Sequence, residues 1–187
     1  MGATAPAELS IPAVSLHGPV DETMLATWIK VLADARAGSG PLVIELSTTG
    51  GDADIGRRMA ADVRLFRDQT GRQAFFLGKA AVYSAGVTVM SGFRATDRWL
   101  TREAVVMIHG RKLTKGLNLD GPLRSERVKV QALMAEIEAG LRDEREGFDC
   151  LIADTDVTMP ELEQAIIGDW YLTAEEAASR KLVAGLV

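Results

Sequence analysis

Apolar residues along the chain follow two patterns, short continuous runs and helical spacings, and the two patterns alternate. Residues 42–46 form a short apolar run bounded by glycine and proline, which predicts a buried strand. After Asp52, four apolar residues recur at intervals of four, four and three, which predicts a helix that Asp52 caps. A chain in which strands alternate with helices in this way is predicted to have an α/β fold.

The same patterns predict the remaining elements. Further strands are predicted at 11–16, 73–77, 98–101, 104–108 and 183–187, and helices after Asp21, at 85–91, 124–152 and 161–167, and after Thr173. Residues 78–84 are predicted to form a turn between a strand and a helix. Residues 1–9 contain no predicted element, so we expect them to be flexible. No break in composition divides the rest of the chain, so we expect a single domain at 10–187.

Composition and charge argue against several classes of protein. The 21 Lys and Arg and the 26 Asp and Glu give a net charge of −5, which argues against sequence-independent binding to nucleic acid or to an anionic membrane. No apolar run reaches the roughly 18 residues that a membrane span needs. Cys150 is the single cysteine, so an intramolecular disulfide is excluded, and the start of the chain does not resemble a secretory signal. These features predict a cytoplasmic protein.

Ser84 lies in a stretch of small residues, directly before the helix predicted at 85–91. A serine hydroxyl is a weak nucleophile near neutral pH and needs a base within hydrogen-bond reach. Backbone N–H groups at the start of a helix can stabilise the negative charge that forms on an attacked carbonyl. Many serines in this position only cap the helix, so Ser84 alone does not predict an enzyme.

His109 follows the strand predicted at 104–108 and is a candidate base for Ser84. Imidazole can take a proton from a serine and return it to a leaving amine, although a structural histidine is the alternative interpretation. The other histidine, His17, precedes a turn and is interpreted as structural. Gly50 and Gly51 precede a helix, where they can present N–H groups to an oxyanion or simply form the turn.

Together these motifs resemble those of the ClpP family of serine peptidases over nearly the whole chain. Residues 44–52 resemble the family's strand, Ser-Pro-Gly-Gly turn and helix, and residues 83–86 (Tyr-Ser-Ala-Gly) are similar to its nucleophile segment. Residues 107–109 (Met-Ile-His) match its Met-Ile-His motif, with the histidine 25 positions after the serine as in the family. Residues 16–21 and 171–177 resemble its opening and closing segments.

The resemblance implies a ClpP/crotonase-like fold, a spiral of ββα units with a protruding handle helix at about 124–152. It implies that Ser84 attacks a peptide carbonyl, that His109 is the general base and then the general acid, and that N–H groups of the paired glycines and of Ala85 bind the oxyanion. It also implies rings that enclose peptide or unfolded protein substrates, with an ATP-dependent unfoldase as a potential partner. No cofactor or metal is expected, and the sequence has no phosphate-binding loop of its own.

The third member of the catalytic triad is the main departure from the family pattern. The family's aspartate position falls on Thr158 or on Ala165, depending on which motif anchors the count. The nearest carboxylate is that of Asp169, and Asp154 and Asp156 are the fallback candidates. An imidazole without an orienting partner would lose on the order of 10⁴ in rate, judged from the serine-protease template.

Two smaller departures leave other functions open. Thr49 stands where the family has a proline, and the segment 78–84 has two more residues than its family counterpart. One alternative is a catalytically impaired ClpP-like subunit that binds peptide or a partner. Another is an acyl-CoA enzyme of the crotonase type, which moves protons with carboxylates; the spacing of Ser84 and His109 argues against it.

Overall fold

The computed structural model describes residues 4–187, and within them seven strands form one sheet. The strands are β1 (Val14–His17), β2 (Leu42–Thr48), β3 (Ala74–Tyr83), β4 (Arg98–Leu100), β5 (Val105–Ile108), β6 (Trp170–Thr173) and β7 (Gly185–Leu186). The α-helices are α1 (Glu22–Ala37), α2 (Ala53–Thr70), α3 (Ala85–Met90), α4 (Leu123–Ile152), α5 (Met159–Ala165) and α6 (Ala174–Ser179).

Strand β3 is the centre of the sheet. It pairs in parallel with β2 along one edge, and along the other edge with β4 in its first half and with β5 in its second half. Strands β1 and β7 extend the sheet in parallel beyond β2 and β4, and β6 pairs with β5 in antiparallel. Parallel strands joined by helices are covered on both faces, which is why the apolar run of β2 is buried at Leu42, Ile44 and Leu46.

The helix caps that the sequence predicts are present. The Asp52 carboxylate accepts hydrogen bonds from the N–H groups of Asp54 and Ile55, the second of which lies at 3.1 Å. Thr173 and Glu176 form the predicted capping box, in which each side chain accepts from the other residue's N–H. These caps fix where α2 and α6 begin, and hence where the preceding strands end.

Strand β3 departs from the sequence prediction because it does not end at Leu77, where a turn is predicted to begin. Pairing with β2 passes from Leu46 opposite Gly78 to Thr48 opposite Val82, so two steps along β2 match four along β3. The two additional residues form a bulge, in which Ala80 has a φ of 54°. Beyond it β3 continues as a strand beside β5, so the predicted turn is wrong.

The N-terminal segment predicted to be flexible contains an ordered part. Ala7–Ser10 forms a short 3-10 helix, and Leu9 is buried. Leu9 belongs to a small second cluster with Val43, Phe75, Leu77 and Trp99. These residues are therefore part of the folded domain, while the prediction for residues 1–3 falls outside the described residues.

Helix α4, which we call the handle, spans 30 residues, or about 45 Å at 1.5 Å per residue. It is the protruding helix that the sequence places at about 124–152. Within it only Glu126 and Leu151 are buried, whereas Leu123 and Val128 are 87% and 62% exposed. Across residues 4–187, no helix is both long and apolar enough to cross a bilayer.

Candidate active site

Ser84 lies at the junction between β3 and α3. Its φ of 54° and ψ of −116° form a backbone conformation that residues with a side chain rarely adopt. The Ser84 N–H donates to the Met107 carbonyl of β5 at 2.9 Å, and the Ser84 carbonyl accepts from the N–H groups of Val87 and Thr88 in α3. The sheet and the helix thus hold the serine backbone from both sides.

A cavity of about 430 Å³ opens over Ser84. His109, which directly follows β5, lines the same cavity, as does Gly51 at the entry to α2. The opposite wall is formed by the C-terminal half of the handle, including Glu144 and Phe148. The serine and the histidine that the sequence pairs as nucleophile and base therefore share one cavity.

The side chains of these two residues are not hydrogen-bonded to each other. Among the described residues the Ser84 hydroxyl has no hydrogen-bond partner, and the His109 imidazole has its Nδ1 atom 2.5 Å from the Gly110 carbonyl oxygen. Both residues are half-buried. The two side chains must therefore move closer before a proton can pass between them.

Gly50 lies beside Ser84, and Gly51 lines the same cavity; their φ angles are 111° and 149°. A Cβ atom on Gly50 would lie only 2.8 Å from the Cβ of Ser84, so glycine is required for this close approach. The Gly50 N–H donates to the Thr48 hydroxyl at 3.0 Å. Within residues 4–187, no hydrogen bond engages the N–H of Gly51 or of Ala85, so these two groups are the candidate oxyanion donors.

Asp169 is brought near the site by strand register and not by a contact. It follows the 3-10 helix Ile166–Gly168, and the β5–β6 ladder ends with Ile108 opposite Trp170. One further step of that register would place Asp169 opposite His109. The Asp169 side chain is nevertheless exposed, does not line the cavity and makes no hydrogen bond to any of residues 4–187.

The fallback carboxylates lie elsewhere. Asp156 pairs with Lys181 at 3.0 Å, and its N–H donates to the carbonyl of Arg180 near the end of the chain. Asp154 is exposed in the turn that follows the handle. Neither carboxylate lines the cavity, so neither has a contact that could orient His109.

Charged side chains join three segments around the cavity, and sequence analysis does not identify them. Arg57 on α2 pairs with Asp143 on the handle at 2.6 Å. The Arg111 guanidinium donates to both carboxylate oxygens of Asp54, and the Arg111 N–H donates to the Glu144 carboxylate. These partners lie far apart in the chain and form no local motif, so no sequence pattern could have revealed them.

Comparison of the sequence with models of known families and with curated proteins gives no match. Among solved structures, the chain is similar to a mutant of ClpP1 from Listeria monocytogenes, with a TM-score of 0.72 and 15% identity. The similarity covers 93% of this chain and 90% of the other. It shows the ClpP-like fold that the sequence motifs predict, an α/β fold with a mainly parallel sheet and a long handle helix.

Proposed function

We propose that this protein is a ClpP-like serine peptidase that hydrolyses peptides or unfolded polypeptides by acyl transfer. One observation carries the proposal: on a ClpP-like fold, Ser84 at a strained strand–helix junction shares a cavity with His109. Strained backbone conformations concentrate at functional sites because the surrounding structure must be built to hold them. The N–H groups of Gly51 and Ala85, which have no partner within residues 4–187, support the proposal as donors for an oxyanion.

The reaction follows from these positions. The Ser84 oxygen attacks the substrate carbonyl while His109 accepts the hydroxyl proton at Nε2. The negative charge that forms on the carbonyl oxygen is bound by the N–H groups of Gly51 and Ala85. His109 then gives the proton to the leaving amine, which departs and leaves an acyl group on Ser84. A water molecule, deprotonated by His109, releases the acyl group and restores the serine.

The missing hydrogen bond between Ser84 and His109 is consistent with an active site in which this bond forms only when substrate binds. Catalytic hydrogen bonds are often long or misaligned without substrate and tighten when substrate is bound. The Ser84 hydroxyl has no competing partner among the described residues, so its rotation toward His109 breaks no existing hydrogen bond.

The handle supports self-association into rings. Its exposed apolar side chains would stay in water in a single subunit, and large exposed apolar patches mark interaction surfaces. We propose that such rings enclose the cavity in a chamber that admits unfolded chains, and that an ATP-dependent unfoldase delivers them. A cytoplasmic location fits a chain with a single cysteine.

Labelling with a fluorophosphonate probe tests the proposal. The wild-type assembly and a Ser179→Ala control, which changes an exposed serine on α6, should both be labelled. Ser84→Ala should abolish labelling and the cleavage of a fluorescent unfolded polypeptide, and His109→Ala should slow both reactions strongly. Labelling that persists in Ser84→Ala would show that another residue is the nucleophile.

The second candidate function is a catalytically impaired ClpP-like subunit that binds peptide or a partner chain. It is favoured by the carboxylate of Asp169, which is exposed and makes no hydrogen bond to any of residues 4–187. This function predicts no labelling of the wild-type assembly, together with saturable binding of a fluorescent unfolded polypeptide that Ser84→Ala does not weaken.

A further inference from the structure

We propose that Glu144 orients His109 through the peptide bond between Gly110 and Arg111, in the role that an aspartate fills in a Ser-His-Asp triad. Glu144 is thus a positioning residue that acts through the backbone. The inference rests on the proposed function, because the orientation of His109 affects catalysis only if His109 is the base.

The first link joins His109 to the backbone. Its Nδ1 atom lies 2.5 Å from the Gly110 carbonyl oxygen. A carbonyl oxygen can only accept a hydrogen bond, so in this contact Nδ1 carries the proton. In the neutral ring Nε2 then has the free lone pair, and this is the tautomer that a general base for Ser84 requires.

The second link joins the same peptide group to the handle. The N–H of Arg111 belongs to the peptide unit whose carbonyl oxygen is that of Gly110, and it donates to the Glu144 carboxylate. Because the peptide group is planar and trans, an anchor on its N–H fixes the direction of its carbonyl oxygen. Hydrogen bonds in series polarise one another, so the carboxylate also makes that oxygen a stronger acceptor.

The charge of Glu144 is available for this role. No Lys or Arg within residues 4–187 forms an ion pair with it, whereas the neighbouring Asp143 is paired with Arg57. Glu144 is half-buried and lines the same cavity as His109.

Glycine at position 110 fits this arrangement. A Cβ atom there would lie 3.3 Å from a carboxylate oxygen of Glu144, which is tighter than an ordinary contact. Asp169, the candidate that the sequence suggests, has no comparable contact, because its carboxylate is exposed and unbonded to any described residue. The geometry therefore favours an indirect carboxylate over a direct one.

The protonation of the His109 ring tests the proposal without any activity assay. The chain has two histidines, so His17→Ala leaves the ¹⁵N signals of His109 alone in the spectrum. At a pH where the ring is neutral, the assembly should show the proton on Nδ1. Glu144→Ala should move a substantial fraction of the proton to Nε2, whereas Glu144→Gln, which keeps an acceptor oxygen, should largely preserve the original tautomer.

Two matched variants separate this role from a general loosening of the handle. Glu163→Gln breaks the exposed ion pair that joins Glu163 on α5 to Arg145 on the handle, and it should leave the tautomer unchanged. Asp143→Asn removes the charge that pairs with Arg57 and, at 4.0 Å, with the Arg111 guanidinium. It leaves the hydrogen bond between the Arg111 N–H and Glu144 in place, so it too should leave the tautomer unchanged. A shift in Asp143→Asn as large as that in Glu144→Ala would overturn the proposal.

Kinetics provide the second readout. The loss of one hydrogen bond to a charged group predicts that kcat falls about 10- to 100-fold in Glu144→Ala, with KM changed by less than about threefold. If the wild-type assembly is not labelled at Ser84, the proposed function fails, while the tautomer measurement still decides the role of Glu144. A wild-type tautomer in Glu144→Ala, or a shift that appears in Asp169→Asn instead, would refute the inference.

Discussion

Replacing Arg98 by leucine is expected to destabilise the whole domain. Arg98 is 1% exposed, and its guanidinium donates to four backbone carbonyl oxygens. They are those of Phe93, Cys150, Leu151 and Leu182, at distances between 2.7 and 3.3 Å. Cys150 and Leu151 belong to the last turn of the handle, where carbonyl groups have no partner within the helix. Arg98 therefore caps the C-terminal end of the handle by donating hydrogen bonds to these free carbonyl groups.

The cost follows from these contacts. Burial lowers the pKa of Arg98 to about 10, which still leaves the side chain charged at pH 7. A buried acceptor without a partner costs about 1–3 kcal/mol, and Arg98→Leu would leave several of them. Because the orphaned groups are neutral carbonyls, the loss comes from these unpaired acceptors, and their sum is expected to be about 3–5 kcal/mol. For a domain of this size, that loss corresponds to a fall in Tm of about 6–20 °C.

Arg72 provides the matched control. Its guanidinium also donates to backbone carbonyl oxygens, those of Ala35, Gly38 and Gly40, but Arg72 is only half-buried and two of these three hydrogen bonds are exposed to solvent. In Arg72→Leu water can replace the lost donors, so we expect a loss of only about 1 kcal/mol. Thermal and urea unfolding of both variants measure the difference. Equal losses for Arg98→Leu and Arg72→Leu would show that burial does not set the cost.

Three further predictions concern separate features. Gly50→Ala should lower the rate of fluorophosphonate labelling at least tenfold, because the new Cβ displaces the Ser84 side chain; an unchanged rate would contradict this. Thr173→Ala removes a capping hydroxyl and should cost about 0.5–2 kcal/mol in urea unfolding, whereas no loss would mean that the cap is not stabilising. Burial raises the pKa of Asp97, so above the normal carboxyl range the charged form lowers the stability of the folded state. Asp97→Asn should therefore stabilise the protein more at pH 7 than at pH 3. An equal gain at both pH values would contradict this reasoning.

Much of the fold is predictable from the sequence because its signals are local. The apolar run of β2, the cap at Asp52 and the capping box at Thr173 each involve residues a few positions apart, and each is present in the structure. The ClpP-like fold is likewise confirmed by the structural comparison. Caps and hydrophobic spacing depend on residues a few positions apart, and their local preferences agree with the overall fold, which is why these predictions hold.

The features that sequence analysis misses depend on distant partners. Strand β6 is not predicted because its four residues become a strand only by pairing with β5. The predicted turn after Leu77 is wrong because Gly78 lies within a strand whose irregularity is set by its neighbour β2. The hydrogen bond between the Arg111 N–H and Glu144 spans 33 positions and uses a backbone group, which leaves no trace in residue types.

Because β3 contains a bulge, the number of residues in the bulge does not determine where Ser84 lies. Before it β3 pairs with β2 and β4. After it β3 pairs with β2 at Thr48 and with β5, whose Met107 carbonyl accepts the Ser84 N–H. The two surplus residues are thus absorbed upstream, and the serine is positioned by the strand that carries His109. The protein should consequently tolerate an insertion or deletion around Lys79 and Ala80. Residues could be added or removed there without moving the nucleophile.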